Sequence, residues 1–293
     1  MNEEKLNLMK NKKGFIAALD QSGGSSGKTL RLYGIDESAY SSEAEMFDLI
    51  HEMRTRVMKS KAFTSDKIIG VILFEQTMNR KIDDKLTSDY LWDKGIISFL
   101  KIDKGLEELK DGCQMMKPIP NLEKTLEEAK EKGIFGTKMR SVIKEANIEG
   151  IRNVVKQQFE IAKKICSYGL VPIIEPEVDI HAEDKLQCEE MLYSEVSREL
   201  YEMPEDAKVM FKFTLPTYDN FYEDLYENDK VVRIVALSGG YPLSEACEKL
   251  SHNKGVIASF SRALLEGLNV NDTDAEFDNK LSKTIDEIYK ASV

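Results

Sequence analysis

The sequence lacks any apolar run long enough to cross a membrane. Its longest apolar runs, such as residues 68–74, are far shorter than the about 20 residues that a spanning helix requires. The amino end, Met1-Asn-Glu-Glu-Lys, has neither the apolar core nor the small-residue cleavage site of a signal peptide. The four cysteines form no CxxC pair, so we expect reduced thiols and a cytoplasmic protein.

Histidine is also scarce, and positive charges are fewer than negative charges. The three histidines, His51, His181 and His252, show neither HExxH nor HxH spacing, which argues against a histidine-based zinc site. Lys and Arg number 41 against 52 Asp and Glu, a net charge of −11 that argues against a nucleic-acid or anionic-membrane surface. Net charge does not forbid a local basic pocket for a phosphorylated small molecule.

No low-complexity tract or Pro/Ser-rich linker divides the chain, so we expect a single domain over residues 1–293 with a C-terminal helix. A short apolar run followed by a longer amphipathic stretch recurs eight times along the sequence. The apolar runs are 14–20, 68–74, 96–102, 134–139, 170–176, 208–214, 231–237 and 256–259. Helical periodicity marks residues 43–59, 122–132, 148–167, 182–202, 243–251 and 275–289.

Near-continuous apolar strands are typical of a parallel sheet that is buried on both faces. Eight strand-helix units in 293 residues predict a closed (β/α)₈ TIM barrel. The alternative is an open doubly wound sheet, but no GxGxxG follows the first predicted strand. The sequence is compatible with a homo-oligomer but does not indicate one.

Charged residues lie within or at the ends of the predicted strands, where apolar residues would be expected. They are Asp20, Lys101, Asp103, Lys138, Arg140, Glu175, Glu177 and Lys212. Residues two apart on a strand share a face, so the paired charges of each strand point the same way. A structural ion-pair network explains any one of them, but burying a whole set of ions is costly. Together they indicate an active site at the carboxyl-terminal rim of the barrel.

Lys212 is the most informative of these residues. Phe211 and Phe213 can pack outward under helices, which leaves Lys212 pointing into the barrel. Loss of hydration favours the neutral amine, which can attack a carbonyl and form a Schiff base. The alternative is a buried salt bridge to Glu175 or Glu177. Because two carboxylates on one face repel, we expect one of these glutamates to be protonated and to act as a general acid.

Three loops have the composition of anion-binding sites. Ser238-Gly239-Gly240 leaves the seventh strand towards a helix whose first turn holds Pro242, and Ser261-Arg262 follows the eighth. These two loops form the frequent phosphate site of barrels. The loop after the first strand, with Ser22 and Ser25, reads almost equally well as a flexible loop. If it binds phosphate, Lys101 and Arg140 are its natural charged partners, and the substrate carries an anionic group at each end.

The chain resembles the class I (Schiff-base) fructose-1,6-bisphosphate aldolases, most closely the short bacterial form. Seven motifs carry the resemblance, in order, on successive strands. They are Ala-Leu-Asp20-Gln-Ser22-Gly-Gly-Ser25, Leu-Lys101-Ile-Asp103-Lys104-Gly, Gly-Thr-Lys138-Met-Arg140, Ile-Glu175-Pro-Glu177, Phe-Lys212-Phe, Leu-Ser238-Gly239-Gly240 and Ser259-Phe-Ser261-Arg262-Ala-Leu. The resemblance implies reversible cleavage of fructose 1,6-bisphosphate into dihydroxyacetone phosphate and glyceraldehyde 3-phosphate, with no metal and no cofactor.

The resemblance also implies residue roles. Lys212 would form the Schiff base, and Glu175 would be the acid/base that dehydrates the carbinolamine. Asp20 would take the proton of the C4 hydroxyl, Lys138 would stabilise charge near the reacting carbons, and Glu177 would poise Lys212 and its neighbours electrostatically. One phosphate would be held by Ser238, Gly239, Ser261 and Arg262, and the other by Ser22, Ser25, Lys101 and Arg140.

Two departures from the animal enzymes stand out. They have Glu after the first-strand Asp, where this chain has Gln21, so the charge near Asp20 differs. They also end in a mobile tail with a terminal Tyr that helps exchange the carbanion proton, and Tyr289 has no such assignment here. Two other functions remain open: a Schiff-base enzyme acting on a sugar monophosphate, such as a transaldolase or deoxyribose-phosphate aldolase, and a non-catalytic barrel that binds sugar phosphates.

Overall fold

The computed structural model describes residues 2–293 and contains eight parallel strands in barrel order. The strands are β1 Phe15–Leu19, β2 Ile68–Leu73, β3 Ile97–Lys101, β4 Gly136–Ile143, β5 Val171–Val178, β6 Val209–Thr214, β7 Val231–Leu237 and β8 Ile257–Ala258. Each pairs in parallel with the next, and Ala18 N donates to Phe260 O at 3.3 Å, which joins the end of β8 to β1. The predicted (β/α)₈ barrel is confirmed.

The helices surround this barrel and connect its strands. They are α1 Glu3–Asn11, α2 Gly24–Leu32, α3 Glu43–Lys59, α4 Glu75–Met78, α5 Thr87–Asp93, α6 Leu122–Glu131, α7 Ile148–Ser167, α8 Lys185–Tyr201, α9 Leu243–Ser251, α10 Arg262–Leu265 and α11 Asp274–Ala291. Within residues 2–293, no helix combines the length and the apolarity that a membrane span requires. The six predicted helices are confirmed to within a few residues, whereas α1, α2, α4, α5 and α10 were not predicted.

Three short strands lie outside the barrel order. Lys81–Ile82 and Lys85–Leu86 form an antiparallel hairpin, and Cys113–Gln114 pairs antiparallel with the end of β4. None of the three was predicted, because two-residue strands leave no periodic signal.

The hydrophobic core has two layers, one inside the barrel and one between strands and helices. Strand β6 shows the division: Met210 packs with the interior group, whereas Phe211 packs with the outer group. Helix α1 closes the amino-terminal end, because its Met9 is fully buried among the interior residues. Arg233 strengthens this closure by donating to Met9 O at 3.0 Å. The opposite, carboxyl-terminal end is therefore the one left for a site.

Strands β4 and β5 run further than predicted. The apolar pattern ends the fourth strand at residue 139 and the fifth at 176, but the ladder continues to Ile143 and Val178. Arg140 therefore lies within β4, directly opposite Glu175 of β5. The strands continue through charged residues because their carboxyl-terminal halves line a polar cavity instead of an apolar core.

Candidate active site

A cavity of about 470 Å³ opens at the carboxyl-terminal end of the barrel. All thirteen predicted site residues line it, and they come from the four strands β3 to β6 and from the segments that follow β1, β7 and β8. They are Asp20, Ser22, Ser25, Lys101, Lys138, Arg140, Glu175, Glu177, Lys212, Ser238, Gly239, Ser261 and Arg262. Tyr289 is not among the lining residues; it lies in α11 and packs against the outer core.

Lys212 points into this cavity because aromatic packing fixes the faces of β6. Phe211 and Phe213 stack on each other at 5.3 Å between ring centroids, and Phe213 stacks on Tyr222 at 4.1 Å. The alternate side chain, Lys212, therefore faces inward, where its residue is only 4% exposed. Its Nζ lies 3.1 Å from Glu175 Oε1. The salt bridge weighed as the alternative for Lys212 does form, but it forms on the wall of a cavity.

Lys138 joins two carboxylates into a continuous chain of charges. Its Nζ lies 2.8 Å from Asp20 Oδ2 and 2.8 Å from Glu175 Oε2. Lys138, Asp20 and Glu175 are all buried, so the low local dielectric strengthens these contacts. Together with Lys212, they form a row in which amines and carboxylates alternate: Asp20, Lys138, Glu175, Lys212.

The charges in this row control one another's protonation. Burial alone would raise the pKa of Glu175, but Lys138, Lys212 and Arg140 outweigh it and hold the pKa below its usual value. Burial likewise opposes ionisation of Asp20, yet Lys138 and Lys212 lower its pKa. The expectation that repulsion between Glu175 and Glu177 protonates one of them is therefore wrong for Glu175, which is surrounded by cations.

Two further ion pairs line the same cavity. Arg140 Nε donates to Glu177 Oε2, and Lys101 Nζ lies 2.6 Å from Asp103 Oδ1. Burial lowers the pKa of Arg140, but the facing Glu177 raises it further, so the guanidinium stays charged. The direct contact of Glu177 is with Arg140, so its predicted influence on Lys212 would act through space.

The turn after β7 requires glycine. Gly239 has φ +62°, and a Cβ at this position would lie 2.6 Å from Ile180 Cγ2. A Cβ on Gly240 would lie 3.6 Å from an Arg262 Nη2, so the guanidinium lies beside this turn. Pro242 is the N-cap residue of α9, one position before the first turn in which the sequence placed it. The turn thus presents backbone next to a cation, as an anion site requires.

The loop after β1 is shorter than expected, because α2 begins at Gly24. Ser25 lies in the first turn of this helix, where its Oγ donates to Ser22 O at 2.8 Å and accepts from Ser22 N at 2.9 Å. Ser25 is therefore helical, and the two serines contact each other on the cavity wall.

Sequence reasoning missed several lining residues. Lys28 and Thr29 reach the cavity from α2, and the glycine-rich sequence shows no sign of this helix.

Two buried oxygens beside the cavity have no hydrogen-bond partner among residues 2–293: the hydroxyl oxygen of Ser259 and Oδ2 of Asp103. Both residues line the cavity, but these two oxygens are themselves buried. No group of three His, Cys, Asp or Glu residues in the described part of the chain could hold a metal ion.

Comparisons with known proteins agree with this geometry. A family model described as fructose-bisphosphate aldolase class-I matches residues 2–219. Proteins named fructose-bisphosphate aldolase class 1 from Clostridium acetobutylicum and Porphyromonas gingivalis are 60% and 56% identical, each over the whole of both chains. A third of that name, from Synechocystis, is 55% identical over 100% of this chain and 98% of its own.

A solved structure supports the fold independently. A fructose-bisphosphate aldolase from Plasmodium falciparum, crystallised with TRAP and a small-molecule inhibitor, superposes with a TM-score of 0.72 over 99% of this chain and 93% of that one. At 19% identity this likeness concerns the architecture alone. With a matching family model and relatives of more than half identity over full length, the chain belongs to the class I fructose-bisphosphate aldolase family, a family of lyases.

Proposed function

We propose that this protein reversibly cleaves fructose 1,6-bisphosphate into dihydroxyacetone phosphate and glyceraldehyde 3-phosphate through a Schiff base on Lys212, without a metal ion. The observation that carries the proposal is the buried Lys212 Nζ, which lies 3.1 Å from Glu175 Oε1 on the wall of a cavity. An amine in contact with a carboxylate can pass its proton to that carboxylate and then attack a carbonyl. The names of the relatives support the same substrate.

Glu175 can serve both halves of Schiff-base formation. The Lys212 ammonium first gives one proton to Glu175, and the neutral amine attacks the C2 carbonyl. A second proton moves from the nitrogen to the carbonyl oxygen, which becomes the hydroxyl of a carbinolamine. Glu175 then returns a proton to that hydroxyl, which leaves as water, and the C–N bond becomes an iminium. The 3.1 Å contact places the carboxylate within proton-transfer distance of the nitrogen.

Asp20 is suited to start the cleavage. As an anion at neutral pH, it takes the proton of the C4 hydroxyl; the C3–C4 bond breaks, C4 becomes the aldehyde, and the bonding electrons move into the iminium to give an enamine. Lys138 lies 2.8 Å from both Asp20 and Glu175, and although burial lowers its pKa, these carboxylates raise the pKa further. Lys138 therefore stays cationic and stabilises negative charge that develops between them.

Two groups of residues on the cavity wall would hold the two phosphates. Ser238, Gly239, Ser261 and Arg262, which follow β7 and β8, would form the first phosphate site. Ser22, Ser25, Lys101 and Arg140 would form the second phosphate site. Two such sites favour a bisphosphate over the monophosphate substrates considered above. A single catalytic domain and a cytoplasmic location belong to the same proposal; the continuous sheet supports the former and the four free thiols support the latter.

Borohydride trapping tests this proposal. Reduction in the presence of dihydroxyacetone phosphate should leave a covalent adduct on the peptide that contains Lys212, identified by mass spectrometry. The variant Lys212→Met should neither form the adduct nor cleave fructose 1,6-bisphosphate. A matched control is Lys208→Met, a half-buried lysine just before the same strand whose amine donates to Asp229 O. Full activity of Lys212→Met would refute the proposal.

A further inference from the structure

A fully buried arginine lies behind the active-site wall. Arg54 of α3 has no exposed surface, and its guanidinium donates to three oxygens of neutral groups. Nη1 donates to Thr77 Oγ1 at 2.7 Å, while Nη2 donates to Gln21 O at 2.5 Å and to Gln21 Oε1 at 3.1 Å. Burying a guanidinium is costly, so this placement calls for a reason beyond packing.

These contacts settle the orientation of the Gln21 side chain. A guanidinium can only donate, so the amide atom facing Arg54 must be the acceptor Oε1. The other amide atom, Nε2, lies 3.3 Å from Ala18 O, which can only accept. Two independent neighbours therefore assign the same orientation, and Nε2 is a donor directed along the cavity wall.

The fixed amide determines what Ser261 can do. Gln21 Nε2 donates to Ser261 Oγ at 2.8 Å, so the hydroxyl oxygen accepts and its own hydrogen remains free for a different acceptor. Ser261 lines the active-site cavity and precedes Arg262, one of the residues of the first phosphate site. Its hydroxyl hydrogen is thus available to an anion held there.

We propose that Gln21, oriented by Arg54, makes Ser261 a dedicated hydrogen-bond donor to the phosphate bound between the turns after β7 and β8. The proposal rests on the proposed function only in requiring that this site binds phosphate. Gln21 and Arg54 are positioning residues, because each acts through its neighbour and not on the reacting carbons.

The hydrogen bonds from Arg54 to Gln21 and from Gln21 to Ser261 form a relay. Replacing the amide of Gln21 by a carboxylate reverses the direction of the second of these hydrogen bonds. In Gln21→Glu the side chain has nearly the same size and still accepts from Arg54, so the buried arginine keeps its partner. The carboxylate cannot donate, however, and Ser261 would donate its hydrogen to Glu instead of to phosphate. The added negative charge on the cavity wall acts in the same direction.

The kinetic test combines three variants. Gln21→Glu and Ser261→Ala should each raise KM for fructose 1,6-bisphosphate roughly tenfold, the range for a lost hydrogen bond to a charged group, while kcat changes less than about threefold. In the Ser261→Ala background, Gln21→Met should raise KM by less than a further factor of about two, because position 261 then has no hydroxyl to orient. Gln114→Glu, the same chemical change at a half-buried position outside this cavity, is the control.

A binding test separates this inference from the proposed function. Affinity for inorganic phosphate is measured by calorimetry in an Arg140→Met background, which weakens the second phosphate site. Gln21→Glu should reduce that affinity by roughly the factor seen in KM. If the wild type binds phosphate but cleaves no fructose 1,6-bisphosphate, the function fails and the relay can still be judged. Phosphate affinity and KM within about twofold of wild type in Gln21→Glu would overturn the relay.

Discussion

Glu175 of β5 contacts Lys212 of β6 through one carboxylate oxygen, Oε1, at 3.1 Å. The register of the two strands explains this: Ile173 pairs with Met210 and Ile174 with Phe211, and the next residues along each strand are Glu175 and Lys212. The second oxygen, Oε2, is 2.8 Å from Lys138. One carboxylate therefore serves two amines, one assigned as the nucleophile and one that stays charged.

This arrangement predicts a specific defect for Glu175→Gln. The amide keeps the size and a hydrogen-bond acceptor but cannot carry protons, so carbinolamine dehydration should slow and kcat should fall by about 10²- to 10⁴-fold. Stopped-flow measurement of iminium formation, followed by borohydride reduction, should show that the loss lies before C–C cleavage.

Glu195→Gln is the matched control for this variant. Glu195 is another buried glutamate with ionic partners, Arg152 and Arg198, but it lies between helices outside the cavity. The Glu195→Gln variant should have a changed stability and an unchanged rate of iminium formation. Wild-type iminium kinetics in Glu175→Gln would remove Glu175 from the mechanism.

Asp20 should make stability depend on acidic pH. Burial raises its pKa, but Lys138 and Lys212 lower it below the ordinary value of 3.8, so the folded chain holds this carboxylate ionised where the unfolded chain protonates it. Its contribution to stability is present above about pH 4 and is lost as pH falls through the folded-state pKa. The melting temperature of wild type minus that of Asp20→Asn should therefore rise with pH towards about pH 5 and then stay constant. A difference that is independent of pH between pH 3 and pH 5 would contradict this.

Much of the barrel and of the site could be predicted from local patterns. The inward direction of Lys212 follows from its flanking aromatics, since strand side chains alternate and Phe211 and Phe213 both pack outward. The start of α2 could not be predicted, because Gly-Gly-Ser-Ser-Gly has low helix propensity and is helical only through tertiary contacts. Arg54 was missed for a related reason: within 43–59 it looks like any residue of a polar helix face.

Protonation states were the weakest part of the sequence-based reasoning. From the sequence alone, repulsion between Glu175 and Glu177 is expected to protonate one of them, because both lie on one strand face. The structure places cations that the sequence cannot place: Lys138 beside Glu175, and Arg140 beside Glu177. Charge interactions between strands depend on register and burial, and neither is visible in the order of residues.

Gly239→Ala should damage the first phosphate site. The backbone has φ +62°, which costs about 1–3 kcal/mol for residues other than glycine, and the new Cβ would lie 2.6 Å from Ile180 Cγ2. We expect a higher KM for fructose 1,6-bisphosphate and a lower melting temperature. Adding Ile180→Ala removes the clash but not the backbone strain. The double variant should therefore recover only part of the loss in KM and only part of the loss in melting temperature. Unchanged KM in Gly239→Ala would show that this turn does not contact substrate.

Arg140→Met should separate bisphosphate from monophosphate recognition. Arg140 and Lys101 belong to the second phosphate site and Arg262 to the first, so removing the Arg140 guanidinium weakens only the second phosphate site. A charge-assisted contact to phosphate is worth about 1.5–3 kcal/mol, so KM for fructose 1,6-bisphosphate should rise roughly ten- to a hundredfold. KM for fructose 1-phosphate, which has one phosphate, should change less than about threefold.

The control is Arg152→Met, which removes a half-exposed arginine on α7 that pairs with Glu195 outside the cavity. This variant should leave KM for both substrates unchanged. Equal losses on both substrates in Arg140→Met would instead mean that Arg140 acts on a part of the substrate common to both, and the assignment of Arg140 to a second phosphate site would be wrong.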